Sequence, residues 1–197
     1  MKYFKFIRII LIFIPIVILG TLVYKDFVPT GYLKVGYDFC SADPFISKFS
    51  PNGRVLGIEN CTQAMVIDPV YFDVRLPQSF DEARIKLWYQ KDSDTKLQIG
   101  PAENLDAWQW QLRDIEYMGS KGDWMIGNAI YDLSTTQYDS NDLRFLISSP
   151  GLDASGSEIV FDRIEIEFSS EPLTRDNFTR MLKDWIKFSS IYLFIVK

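Results

Sequence analysis

Histidine is absent from the chain. Its absence excludes a Ser-His-Asp or Cys-His nucleophile arrangement and an HExxH zinc site. Cysteine occurs only as Cys40 and Cys61, which is too few for a four-ligand zinc site and not the CxxC spacing of a redox or zinc motif. An enzyme built on this chain would therefore depend on carboxylates, Lys, Tyr or a bound hard cation. Basic charge is also scarce: 21 Lys and Arg stand against 26 Asp and Glu, and the net charge is −5. A nucleic-acid binder needs a basic footprint, so that class of partner is excluded. No internal repeat or low-complexity segment is present.

What the chain does have begins at its N-terminus. Ile9 to Tyr24, IILIFIPIVILGTLVY, carries no charge and follows Lys2, Lys5 and Arg8. The run is about 24 Å long as a helix, short of the roughly 30 Å of a bilayer core. Phe4, Phe6 and Ile7 extend it, while Arg8 can snorkel and Tyr24 suits the far interface. A cleaved signal peptide is the rival reading, although no A-x-A-like site follows. In both readings the basic start stays cytoplasmic and the remainder is exported. With three of the 21 basic residues ahead of the run, the exported part holds 18 basic against 26 acidic residues, a balance of −8.

Four regions are expected: a basic start and transmembrane anchor at 1–25, a stalk and loop region at 26–62, a β-sandwich at 63–170, and a C-terminal amphipathic helix with an apolar tail at 171–197. The loop region is rich in turn sequences such as SADPF and SPNGR. From Met65 onward apolar and polar residues alternate. Phe72/Val74/Leu76, Ile85/Leu87/Tyr89, Leu97/Ile99 (stopping at Gly100-Pro101), Trp124 to Leu133 and Leu143/Phe145/Ile147 read as half-buried strands. Gly127 suggests a bulge or a close backbone approach. The last strand, Glu158 to Phe168, changes parity between Phe161 and Ile164, which predicts a β-bulge near Asp162-Arg163. About eight strands with turns every 8–12 residues and no helix between them predict an all-β sandwich or jelly roll.

Beyond Pro172, Phe178, Met181, Leu182 and Trp185 recur at helical spacing ahead of FSSIYLFIVK. That segment reads either as a membrane-surface element or as a terminal helix packed on its own domain. Cys40 and Cys61, both exported, are expected to form a disulfide worth about 3 kcal/mol in the chain-entropy model. Trp108 and Trp110, two apart, would share one strand face, and Trp88 falls on the polar parity of its strand with Arg84 and Lys86. These three indoles are the candidate ligand platform, the alternative being that they belong to the core. The acidic clusters Asp92/Asp94 and Asp139/Asn141/Asp142 depart from the calcium-loop pattern and read as solvated turns.

The stretch Glu158-Ile159-Val160-Phe161-Asp162-Arg163-Ile164-Glu165-Ile166 resembles the closing strand of galactose-binding-like jelly rolls, the fold of many carbohydrate-binding modules. Leu143 to Ile147 and the DWMIGNAIYDLS stretch are similar in kind to earlier strands of that fold. The resemblance implies a non-catalytic sugar-binding domain. In that family the aspartate at the Asp162 position can belong to a structural calcium site, but here Arg163 follows where a second Asp or Asn is frequent. No other cofactor is expected. The expected function is therefore a single-pass, membrane-anchored extracytoplasmic module that binds envelope or environmental carbohydrate. The alternative is a non-catalytic structural or assembly subunit of a cell-envelope complex, with an envelope protein as partner. A carboxylate-based glycoside hydrolase is the third and weakest reading.

Overall fold

The computed structural model describes residues 13–17, 31–40, 44–58, 61–91, 96–139 and 141–171. The expected C-terminal helix and tail lie outside the described residues but for Glu171. So does the expected anchor, apart from Phe13–Val17, which are helical with Phe13, Ile14, Ile16 and Val17 exposed. Among the described residues no helix is long and apolar enough to cross a membrane.

Two antiparallel sheets make up the domain. The larger contains β1 (Tyr32–Tyr37), β2 (Val55–Ile58), β3 (Thr62–Met65), β5 (Glu82–Gln90), β9 (Glu116–Lys121), β10 (Trp124–Asp132) and β12 (Ile159–Ser169). Its order is β2-β3-β12-β5-β10-β9, with β1 pairing the second half of β12. The smaller contains β4 (Val70–Arg75), β6 (Gln98–Asn104), β7 (Gln109–Trp110), β8 (Arg113–Asp114) and β11 (Asp142–Ser148). Its order is β4-β11-β6, with β7 and β8 both on the outer edge of β6. With β1 and β2, which precede β3, and the two-residue strands β7 and β8 set aside, the first of the remaining eight pairs with the last (β3 with β12). The second pairs with the seventh (β4 with β11) and the third with the sixth (β5 with β10). Such nested pairing is that of a rolled-up jelly roll.

Alternation decides which side chains meet between the sheets. On β5, Ala83, Ile85, Leu87 and Tyr89 are buried. They face Phe72, Val74, Phe145 and Ile147 of the smaller sheet within one core. Phe49 packs edge-on against Phe161 at 5.5 Å, and Phe72 stacks on Phe145 at 5.5 Å. The Tyr131 hydroxyl donates to the Ile99 carbonyl, tying β10 to β6 across the core. Burial raises the Tyr131 phenol pKa well above its ordinary value.

Several expectations meet the structure directly. The register of β12 against β5 shifts between Phe161 and Arg163, the predicted bulge. Gly127 answers both halves of its expectation. A register shift against β9 falls between Ile126 and Gly127, and a Cβ there would lie 2.1 Å from Ile115 Cγ2. Cys40 and Cys61 are bridged, with their Cα atoms 4.6 Å apart.

Other features differ from the expectation. Region 26–62, read as stalk and loop, contains β1 and β2, and its Val35, Tyr37, Ile46 and Phe49 are core residues. Turn residues dominate its composition, yet Ile46 and Ser50 bridge to Val74 and Tyr71 along the free edge of β4. The strand at Leu97/Ile99 does not stop at Gly100-Pro101 but runs on to Asn104. Proline is tolerated there because β8 leaves the edge at Ile99 and β7 rejoins it at Ala102, so Pro101 falls in the gap. The connecting backbone crosses over Gly100, where a Cβ would lie 2.2 Å from the Gln111 carbonyl oxygen. The loop after β11 contains a short helix, α1 (Leu152–Ser155).

Candidate functional site

The structure separates the three candidate tryptophans. Trp88 points outward from β5, with Arg163 of β12 and Ile126 of β10 as its cross-strand neighbours. Lys86 Nζ lies 4.8 Å from its ring centroid and the Arg163 guanidinium 5.5 Å. The half-buried indole is thus roofed by two cations, each contributing about 0.5–1 kcal/mol at a surface site. Around it the outer face of the larger sheet is a ladder of alternating charge. Lys34 contacts Glu165 at 2.9 Å and Glu167 at 3.2 Å. These two carboxylates raise the Lys34 pKa, the Glu165 hydrogen bond most. Arg84, Lys86, Met118, Asn128, Glu165 and Glu167 line a groove of about 240 Å³ on this face.

Trp108 and Trp110 lie elsewhere, in the hairpin that joins β6 to β7. The sequence reading put both on one strand face. Instead, Trp108 closes the turn 105–108 and only Trp110 is in a strand. Trp108 has φ +52°, a left-handed conformation that a bulky side chain rarely adopts. It is 72% exposed. Trp110 is half-buried opposite Ala102, and the two rings sit 6.3 Å apart with planes tilted by 52°.

Amide side chains hold this turn in place. The Leu105 N–H donates to Gln137 Oε1 at 2.7 Å, and the Ala107 N–H donates to Asn104 Oδ1 at 2.9 Å. Gln111 Nε2 donates to Thr135 Oγ1 at 2.9 Å, and the Gln111 N–H donates to the Pro101 carbonyl at 3.0 Å. An exposed indole is therefore presented on a fixed turn, next to a second indole and a rim of Gln, Asn and Thr. Indole pairs of this kind offer an apolar face and a polar edge to one ligand.

On the outer face of the smaller sheet, Arg144 makes a two-pronged ion pair with Asp73, Nε to Oδ1 at 2.6 Å and Nη2 to Oδ2 at 3.1 Å. It also lies over the Tyr71 ring at 4.6 Å, and the hydrogen bond it donates to Asp73 raises the Arg144 pKa. Near the end of β4, Pro44, Phe45, Arg75, Leu76, Pro77 and Asn141 line a hollow of about 350 Å³. Among the described residues no group of three acidic or cysteine side chains gathers as a metal site. Asp162 lies in the β12 bulge, between Phe161 and Arg163. Asp92 and Asp94 lie outside the described residues.

No family model matches the chain, and no curated protein matches it. Among solved structures it is similar to a xylan-binding module, CBM15, at 16% identity and TM-score 0.48, over 72% of this chain and 99% of that one. It is also similar to the mannan-recognising module TmCBM27, at 10% and 0.41, over 71% and 99%. A third is the CBM22-1 xylan-binding domain of Paenibacillus barcinonensis Xyn10C, at 8% and 0.40, over 69% and 94%. A family two carbohydrate esterase from Cellvibrio japonicus matches at 8% and 0.40, and the chain spans only 36% of its length. The resemblance read from the last strand is thus met by carbohydrate-binding modules among the structural neighbours. At these identities no residue role passes from them to this chain, and the fold rests on the strand order above.

Proposed function

We propose that this protein is a membrane-anchored, extracytoplasmic and non-catalytic β-sandwich that binds glycan through the Trp108–Trp110 hairpin. The single observation that carries the reading is Trp108 itself. A bulky residue held on left-handed backbone and left mostly exposed stores a conformational cost that packing does not repay. Its neighbours supply the two things a sugar ring needs, an apolar platform and amide hydrogen-bonding groups. Glu103 and Asp106 are the charged residues between Ala102 and Trp110, both acidic, which favours a neutral glycan over a carboxylated or sulfated one. Anchoring is supported by the uncharged run from Ile9 to Tyr24 and by the exposure of the apolar helical residues Phe13–Val17.

The test is affinity electrophoresis of the full chain in detergent through gels containing neutral polysaccharides such as xylan and mannan, beside the Trp108→Ala variant. The reading predicts retardation that the variant loses. If the two migrate identically in every gel, the hairpin is not a glycan site.

The alternative, an envelope-assembly subunit, is favoured by one feature. Edge strand β2 exposes Leu56 and Ile58 without a charge between Val55 and Ile58. Cross-linking from residue 56 in intact membranes, with capture of one defined envelope protein, would support that second reading.

A further inference from the structure

The hairpin and the two chain ends share one end of the sandwich. β1 begins where β12 ends, with Tyr32 opposite Ser169, and the Ser170 N–H donates to the Gly31 carbonyl at 2.7 Å. From there a hydrogen-bonded path leads to the tryptophans. The Asp81 N–H donates to Ser169 O at 2.9 Å, and the Leu133 N–H donates to Asp81 O at 2.8 Å. Four residues on, the Gln137 N–H donates to Ala102 O at 3.1 Å, and the Gln137 side chain accepts from Leu105. Every step lies at the end where β5 starts, β10 stops and β6 stops. The Gly122–Asp123 turn and the last residue of β5, Gln90, mark the opposite end, where Gln90 Nε2 donates to Asp123 O. The nine residues of β5 separate the two ends by about 30 Å.

We infer that the Trp108–Trp110 hairpin faces the membrane that anchors the protein, so that its ligand is a glycan carried by or lying against that same membrane. This rests on the anchored glycan-binder reading and adds the source of the glycan. Six residues, 25–30, separate Tyr24 at the close of the apolar run from Gly31, and fully extended they reach about 20 Å. A tether that short keeps the Gly31 end near the headgroups and turns the opposite end outward. The hydrogen-bonded path fixes the hairpin to the tethered end. A free polysaccharide arriving from outside would meet the far turns first, whereas a lipid-borne saccharide stands at the height of the hairpin. Confinement of both partners to one surface also raises their effective concentration, by a factor that commonly reaches hundreds.

The test uses the full chain in phosphatidylcholine vesicles carrying a rhodamine headgroup lipid, with a donor dye on Ala107→Cys at the hairpin or on Lys121→Cys at the opposite end. Transfer from residue 107 should exceed transfer from residue 121 several-fold. Equal or reversed transfer overturns the inference and leaves the glycan reading standing. A second arm compares retention of the label-free protein's binding to a soluble galactose disaccharide with and without digalactosyl lipid in its own vesicle. Competition by the lipid in the same bilayer, at least about tenfold stronger than by the same lipid in separate vesicles, is the expected result. Equal competition from separate vesicles overturns the same-membrane assignment. If neither galactosyl form binds while soluble xylan or mannan does, the ligand is a free polysaccharide and the same-membrane assignment is overturned. If no glycan binds at all, the ligand assignment falls together with the proposed function, whatever the energy transfer shows.

Discussion

Trp88 and Trp108 differ more in their surroundings than their sequence contexts suggest. Trp108 sits where indole and glutamine alternate and Trp88 on the polar parity of an amphipathic strand, and both read as candidates for an exposed platform. In the fold, Trp88 belongs to a central strand, so the register of β12 and β5 delivers Arg163 beside it while its own strand delivers Lys86. Trp108 belongs to a turn at the free edge of a sheet, where Trp110 is the aromatic ring it meets. A side chain in mid-sheet has neighbours on both flanks whether or not a ligand is present. A side chain on a turn keeps its surface for a ligand, provided something else holds the backbone.

The largest effect should come from a change that touches neither indole and so sets the baseline for the contrast. Replacing Cys40 and Cys61 together by serine is expected to cost about 3 kcal/mol of unfolding free energy. Chemical denaturation measures it, and glycan affinity should stay at the wild-type value. Next comes Gly100→Ala, which places a methyl group against the Gln111 backbone that leads out of the hairpin. A loss of about 2 kcal/mol, together with weaker glycan binding, is expected from such overpacking. Unchanged binding in a destabilised variant would mean that the hairpin does not depend on its crossing over Gly100.

Smaller effects separate the two indoles themselves. Trp108→Gly should weaken glycan binding at least tenfold, about 1.4 kcal/mol, and raise unfolding stability by about 1 kcal/mol as the left-handed backbone is relieved. Calorimetry of both properties checks this opposition, and a destabilised Trp108→Gly protein would show that the ring packs after all. Arg163→Ala should cost about 0.5 kcal/mol and shift the emission of Trp88 alone, with glycan affinity unaltered. Reduced affinity there would bring Trp88 back into the site.

The smallest effect is a dependence on pH at the charge ladder. The Lys34 pKa is raised in the folded state, first by the hydrogen bond it donates to Glu165 and then by that to Glu167. Its contribution is therefore complete below the ordinary lysine value and is lost as pH rises through the raised one. Unfolding stability measured by chemical denaturation should fall slightly through that alkaline window, and Lys34→Met should remove that part of the fall. Binding at the Trp108 hairpin should be indifferent to it.

Much of the fold could be read from the chain by itself, and for a simple reason. Alternation of apolar and polar residues has the same period as the pleat, so β4, β5, β10, β11 and β12 were legible from their own residues. The β12 bulge was legible too, because an extra residue must invert the parity of everything after it. The all-β class, the exclusion of histidine chemistry and the pairing of the two lone cysteines follow from composition and count. Tertiary structure alone decided the rest. β1 hides in a stretch of turn-forming composition because its partner, the second half of β12, lies more than a hundred residues away in sequence. β6 runs through Gly100-Pro101 because its outer partner changes at that point, a fact about β7 and β8 and not about proline. Trp108 leaves the strand that its spacing implied because the turn at 105–108 is held by Gln137, a residue from another loop. The end of the sandwich that the hairpin shares with Gly31 and Ser170 is set by the pairing of strands distant along the chain, which no local pattern encodes.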